Sequence, residues 1–241
     1  MFADLEKAND IYTSNPIFLI PGMDGMYAGS MAAWRKFNNS LYLRLLCRVS
    51  GRTEMNVGAK MTEILGDPSK YPVFASNADN AAVKFTGNDP YLSNFGTTTE
   101  SEFTSSGRKL TRQLIGMTVQ TDLGGNQIYV DPRLPIIGKK NNIVAVNPLN
   151  IWIGTKSGCT DQERSTVDVG TSWLNYKVFC RKNAPAVYMD YAEVQFILAE
   201  AALKGWISGG TTAAKNYYEA GVRASMEKWS AEGALLTPAV T

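Results

Sequence analysis

The sequence predicts a mainly α-helical protein in which helical hairpins frame a long loop-rich insertion containing short strands. Three observations carry this. Residues 184–229 read as two antiparallel helices joined by a glycine-rich turn. Residues 30–65 repeat the arrangement with a second pair of amphipathic segments. Between about 67 and 185 the helical period is largely lost, and Asn, Asp, Ser, Thr, Gly and Pro dominate. The hairpins therefore fall at about 1–66 and 186–230 of a single region spanning 1–241.

Phe2, Leu5, Ala8, Ile11 and Tyr12 are helically spaced, so the chain opens on a helix that Asn15-Pro16 stops. The next stretch, PIFLIPGMDGMYAGS, is an irregular connection whose Phe18, Leu19 and Ile20 are expected to lie against the core. From Ser30 to about Ser50, Trp34, Phe37, Leu41, Leu45 and Val49 form an apolar stripe. Arg44, Arg48 and Arg52 share another face, suited to solvation or carboxylate pairing. Val57, Met61, Ile64 and Leu65 mark a further helix that ends at Gly66-Asp67-Pro68.

In the insertion, AAVKF reads as a short strand. Leu110, Leu114 and Met117 align on a helix over about 106–120, which leads to a turn at Gly124-Gly125-Asn126. NQIYV is β-like. In the DPR turn that follows, Pro132 holds Asp131 extended, so its carboxylate is free to cap the turn, and Arg133 is placed to pair with a carboxylate. Residues 141–183 carry little helical signal, NYKVF reads as a strand, and Trp152 and Trp173 look exposed.

From Met189 to Lys204 nearly every position is apolar, with Glu193, Glu200 and Lys204 in one narrow sector, so this helix is expected to be covered on more than one side. Gly205 ends it. Gly209-Gly210 then turn the chain, and Thr211-Thr212 offer a hydroxyl N-cap. In the last helix Lys215, Glu219, Arg223 and Glu227 form a solvated stripe of alternating sign. Ala214, Tyr218, Val222, Ser225 and Trp229 form the packing side. Gly221 lies beside them, and its mid-helix cost of about 1 kcal/mol implies close approach by another helix.

Composition removes several function classes. With no histidine, the chain has no Ser-His-Asp or Cys-His nucleophile and no His-based zinc site. Cys47, Cys159 and Cys180 lack CxxC spacing; Cys159 and Cys180 are close enough in sequence to close a loop, but free thiols are the expected state. A net charge of +2 without a basic block argues against nucleic acid as a partner. Glycoside hydrolysis needs two carboxylates across a cleft, whereas Glu193 and Glu200 lie about 10 Å apart along one helix face, with Lys204 placed to pair with Glu200. GGTT lacks the P-loop pattern, and the Met-rich GMDGMYAGSM lacks the ligands of a metal site. No catalytic residue, metal or cofactor is expected.

The runs YAEVQFILAEAALKGWI and YYEAGVRASMEKW resemble the SusD/RagB family of outer-membrane nutrient-binding lipoproteins, close to its SusD-like subgroup. WRKFNNSLYLRLLCRVSGR, DPRLP and IWIGTKSG agree in order and rough separation, so the resemblance covers most of the chain. It implies tetratricopeptide-like hairpins, a glycan or other nutrient held at the cell surface without catalysis, and a SusC-like TonB-dependent transporter as partner. Family members carry a signal peptide with a lipidated cysteine and are longer. The resemblance thus implies an internal portion, with membrane association only through a lipid anchor that this chain does not carry.

Sugar recognition asks for aromatic rings against pyranose faces, with amides and charges for the hydroxyls. Trp152, Trp173, Tyr129 and Tyr91 occupy non-helical, polar segments and are the candidate ligand-binding residues. Two rival readings are a helical-repeat adaptor for another protein and an all-helical glycoside hydrolase.

Overall fold

The computed structural model describes residues 1–14, 20–105 and 107–236. Its elements are α1 (Phe2–Ser14), α2 (Met31–Arg48), α3 (Val57–Gly66), β1 (Ala81–Val83), α4 (Glu100–Ser105), α5 (Arg112–Thr118), β2 (Val119–Thr121) and β3 (Gln127–Val130). There follow α6 (Leu134–Ile137), β4 (Gly138–Lys139), α7 (Asp161–Val167), β5 (Trp173–Leu174), α8 (Tyr176–Phe179), β6 (Ala186–Met189), α9 (Tyr191–Leu203) and α10 (Gly210–Ala234). The protein is mainly α, and each of the three sheets among the described residues is a two-stranded antiparallel pair: β1 with β6, β2 with β3, and β4 with β5. The chain divides into two compact units. One is Met1–Lys84 with Pro185–Lys228, and the other is Phe85–Ala184 with Trp229–Thr241.

The first unit is the helical frame. Its core joins Leu43 and Leu46 of α2, Met61 and Ile64 of α3, and Val194, Leu198 and Ala201 of α9, closed by Tyr71, Phe74 and Met189. Each large apolar side chain buried there contributes about 1.5–3 kcal/mol. The Ser30 hydroxyl accepts from the Ala33 amide and starts α2 where expected. The buried side of α2 differs from the expected stripe. Trp34, Phe37, Leu41, Leu45 and Val49 are only half-buried, while Asn38, Asn39, Ser40, Tyr42, Leu43 and Leu46 are buried. The cause is that α2 packs against α1, α3 and α9, so polar residues line part of its inner face and must find partners. They do: Asn39 Nδ2 donates to Asn9 Oδ1 and to the Pro72 carbonyl, both at 3.0 Å. Ser40 Oγ accepts from the Phe74 amide at 2.9 Å, and Asn38 Nδ2 donates to the Leu5 carbonyl at 3.0 Å.

The α9–α10 hairpin forms as expected, with seven of the thirteen residues of α9 buried, so it is covered on more than one side. Its turn differs from the sequence reading. Gly209 and Gly210 take φ of +101° and +51°, α10 begins at Gly210, and Thr211 and Thr212 therefore stand inside the first turn rather than capping it. The packed side of α10 is also rotated: Ala214, Gly221 and Ala224 are buried and Tyr217 packs on the core, while Tyr218 is 58% exposed. The close approach at Gly221 comes from the Phe196 ring, which a Cβ there would meet at 2.8–3.1 Å. The expected stop at Asn15-Pro16 and the packing of Phe18 and Leu19 fall outside the described residues, and Ile20 is 68% exposed rather than set against the core.

The second unit is rich in loops and holds most of the expected insertion, together with the chain from Trp229 onward. The helix expected over 106–120 is confined to α5, because Leu110 turns inward in extended backbone and Val119 enters β2. NYKVF is not a strand: the Asn175 side chain accepts from the Lys177 amide and caps the short helix α8, leaving Trp173–Leu174 as the strand. Two further short helices, α4 and α7, lie where no period was visible; α7 is started by a capping box between Thr160 and Glu163. One small core gathers Leu110, Val119, Leu134 and Trp152, and a second gathers Ile136, Val178 and Leu236. The three thiols are free. No described helix is long and apolar enough to cross a membrane.

Candidate functional site

Four extended segments of the second unit lie side by side. The Thr155 amide donates to the Leu110 carbonyl at 2.7 Å, the Leu110 amide to Ser172 O at 2.9 Å, the Leu174 amide to Arg108 O at 3.0 Å, and β5 pairs with β4. This patch sits against the Leu110–Trp152 core, with Leu174 turned towards that core. Side chains alternate along a strand, so Trp173 takes the opposite face. There Lys109 Nζ stands 4.3 Å from the centre of its ring. Burial holds the Lys109 ammonium below the usual lysine range, partly offset by the charge of Asp168.

The β2–β3 hairpin is fastened beside this patch by one residue. Gln127 Oε1 accepts from the Trp152 amide at 2.9 Å, and its Nε2 donates to the Trp152 carbonyl at 2.7 Å. Val130 packs on the core while Tyr129 is 51% exposed, and the residue opposite Tyr129 is the exposed Gln120. At the hairpin tip Asp122 accepts from the Asn126 amide and side chain, each at 2.8 Å, which holds the turn. Asp131 then caps the next turn as read from sequence. Its Oδ1 accepts from the Arg133 amide and Nε, both at 2.9 Å, and its Oδ2 from Nη2 at 2.5 Å.

The four candidate rings are thus differently placed. Trp152 is 6% exposed, a core residue rather than an exposed one, because its indole fills the space over Gly138 and beside Leu110. Trp173 is half-buried under Lys109, and Tyr129 is open on β3. Trp152 thus belongs to one small core, while Trp173 and Tyr129 adjoin Leu174 and Val130, the strand residues that pack on it. Tyr91 belongs to a different loop, 66% exposed, whose Ser93 is bonded to the Arg181 and Lys182 backbone. Lys109, Lys139 and Gln120 are neighbours of these rings that the sequence did not single out. Ladder register brings them beside Trp173 and Tyr129, and no local spacing signals that.

The three carboxylates of the helical unit weighed for hydrolysis are engaged. Arg44 holds both Glu193 oxygens at 2.5 Å, Lys204 Nζ is 2.6 Å from Glu200, and Lys228 Nζ is 2.8 Å from Asp190. A cleft of ≈ 430 Å³ in that unit is lined by Tyr12, Ser30, Arg35, Lys36 and Pro72, but its two cations already bond Asn9, Ser69, Lys70 and Asp79. Among the described residues, no group of three or more His, Cys, Asp or Glu is placed to hold a metal ion.

A frame of helical hairpins carrying a loop-built insertion defines the class of this protein, and comparison supplies its family. The profile of the SusD-like family described as "Starch-binding associating with outer membrane" matches residues 1–238, and the chain belongs to that family. Among solved structures it is similar to a SusD homologue from Bacteroides fragilis, with 25% identity and a TM-score of 0.71, covering 96% of this chain and 48% of that one. A SusD homologue from Parabacteroides distasonis gives 23% and 0.73 over 95% and 48%. A chitin-binding protein gives 21% and 0.69 over 96% and 48%. The chain thus spans about half the length of these structures. No curated protein matches it significantly.

Proposed function

We propose that this chain is part of a non-catalytic, surface-exposed glycan-binding protein of the outer membrane, which captures a saccharide and passes it to a SusC-like TonB-dependent transporter. In this reading residues 1–241 work as one region. The hairpins at about 1–66 and 186–230 are the frame, and the insertion at about 67–185 carries the ligand. Tyr129, Trp173 and Tyr91 contact the sugar, while Trp152 fixes Gln127 and with it the position of β3. The observation that carries the reading is the match to a starch-binding family over residues 1–238, and the exposed loop-borne rings give it a surface. The chitin-binding relative favours β-linked amino sugars as one arm of the test.

The exposure of Tyr129 and Tyr91 weighs against the adaptor reading, which expects the aromatic surface on the helices alone. Ion pairing of Glu193, Glu200 and Asp190 weighs against hydrolysis by them. Calorimetric titration of the chain with malto-, chito- and xylo-oligosaccharides tests the proposal. It predicts binding of at least one of them, with affinity lowered at least about tenfold, 1.4 kcal/mol, by Tyr129→Ala. Absence of binding to every saccharide, or release of reducing sugar by the pure protein, contradicts it.

A further inference from the structure

Trp173 stands between two lysines on one face of the small sheet. It is paired with Lys139 across β4–β5 and bridged to Lys109 on its other side. Directly opposed residues of antiparallel strands place their side chains together, with Cβ atoms about 4.5–5.5 Å apart, so Lys109, Trp173 and Lys139 form a row. The cation–π contact confirms the alignment on the Lys109 side.

The two lysines differ in what neutralises them. Lys139 Nζ pairs with Glu100 at 3.0 Å, but both side chains are about half exposed, at 47% and 51%, and such a pair exchanges readily with a competing anion. Lys109 makes no ion pair among the described residues. The acid that acts on it is Asp168, through space, and Asp168 is engaged by the Thr155 hydroxyl. A half-buried ammonium that is held over an indole and lacks a direct ion-pair partner among the described residues can take an anion without breaking an existing ion pair.

We propose that the Lys109–Trp173–Lys139 row is a subsite for an acidic sugar residue, its carboxylate or sulfate group meeting the two ammonium groups that flank the indole. This rests on the glycan-capture reading and narrows its substrate class to anionic saccharides. Glu100 acts as the resident competitor that the ligand displaces from Lys139.

Titration with oligogalacturonide and its methyl ester, and with a sulfated galactan and its desulfated form, tests the subsite. At least one acidic probe is expected to bind at least about tenfold tighter than its neutral counterpart, an advantage that shrinks as salt is raised. Which pair shows it separates carboxylate from sulfate. Lys109→Gln and Lys139→Gln each lower affinity for the acidic probe several-fold and leave the neutral probe and the circular dichroism spectrum unchanged. Glu100→Gln, which frees Lys139, raises affinity for the acidic probe. Equal affinity for acidic and neutral forms, or indifference to Lys109→Gln, overturns the inference. If neutral oligosaccharides bind and neither acidic probe does, the inference falls and glycan capture stands; if no saccharide binds, both fall.

Discussion

Arg44 shows how a residue read only as "solvated or paired" becomes structural. Its guanidinium holds both oxygens of Glu193 and also donates to the Tyr188 carbonyl at 2.9 Å, so one side chain of α2 fixes α9 and the end of β6. Charge-assisted bonds of this kind contribute about 1.5–3 kcal/mol where partly shielded, and Arg44 is 21% exposed. Arg44→Ala is expected to lower unfolding free energy by about 1–3 kcal/mol in urea titration, and Arg44→Lys to recover only part, since a lysine lacks the fork. A change indistinguishable from zero sets this reading aside. Asp131 offers a pH test. The bonds from Arg133, against some desolvation, hold its carboxyl below the ordinary range. Its contribution is present above about pH 4 and is lost as pH falls through the lower folded value. Asp131→Asn is therefore expected to be less stable than the parent at pH 7, with the gap closing towards pH 2; a constant gap contradicts this. The DPR turn was legible in sequence because cap and partner are two residues apart. The Arg44 pair was legible only as a type, since its partner lies 149 residues away.

Among the elements, α1 has a specific docking device. Asn9 Oδ1 accepts from Asn39 Nδ2 and from Arg35 Nε, both at 3.0 Å, which sets where α1 lies on α2. Asn9→Ala leaves two donors without that acceptor, at a cost of about 1–3 kcal/mol, and hydrogen exchange should then accelerate along α1 while α9 stays protected. Uniform acceleration in both helices would argue that Asn9 supports the core as a whole. In the second unit, a Cβ on Gly154 would lie 2.6 Å from the Arg112 amide nitrogen and the Thr111 carbonyl oxygen. Gly154→Ala is expected to cost about 1–3 kcal/mol by forcing apart the extended segments that carry Lys109. Periodicity located α2, α3, α9 and α10 well, but misplaced the buried faces of α2 and α10. Amphipathic analysis assumes one apolar neighbour, and α2 has three. NYKVF misled for a different reason: over so short a run, alternation and a helical turn look alike, and the Asn175 cap decides.

For the molecule as a whole, the mainly α class with a few short strands was readable from composition and period, and the family motifs pointed to the protein's class. The proposed binding face was not equally readable. Tyr129 and Tyr91 are exposed where aromatic residues in polar loops suggested, but Trp152 turned inward because a unit this rich in loops still needs a large side chain to fill its core. Lys109 and Lys139 reach Trp173 by ladder pairing across 30 or more residues of sequence, which no local pattern encodes. The central claim is that the helices are a frame and the insertion does the recognising. Hydrogen-exchange mapping with and without a saturating saccharide tests it most directly. Protection should appear in residues 86–93, 107–111, 119–130 and 138–140 and around Trp173, with α2, α3 and α9 unchanged. Protection confined to α9 and α10, with those loops unaffected, would contradict it.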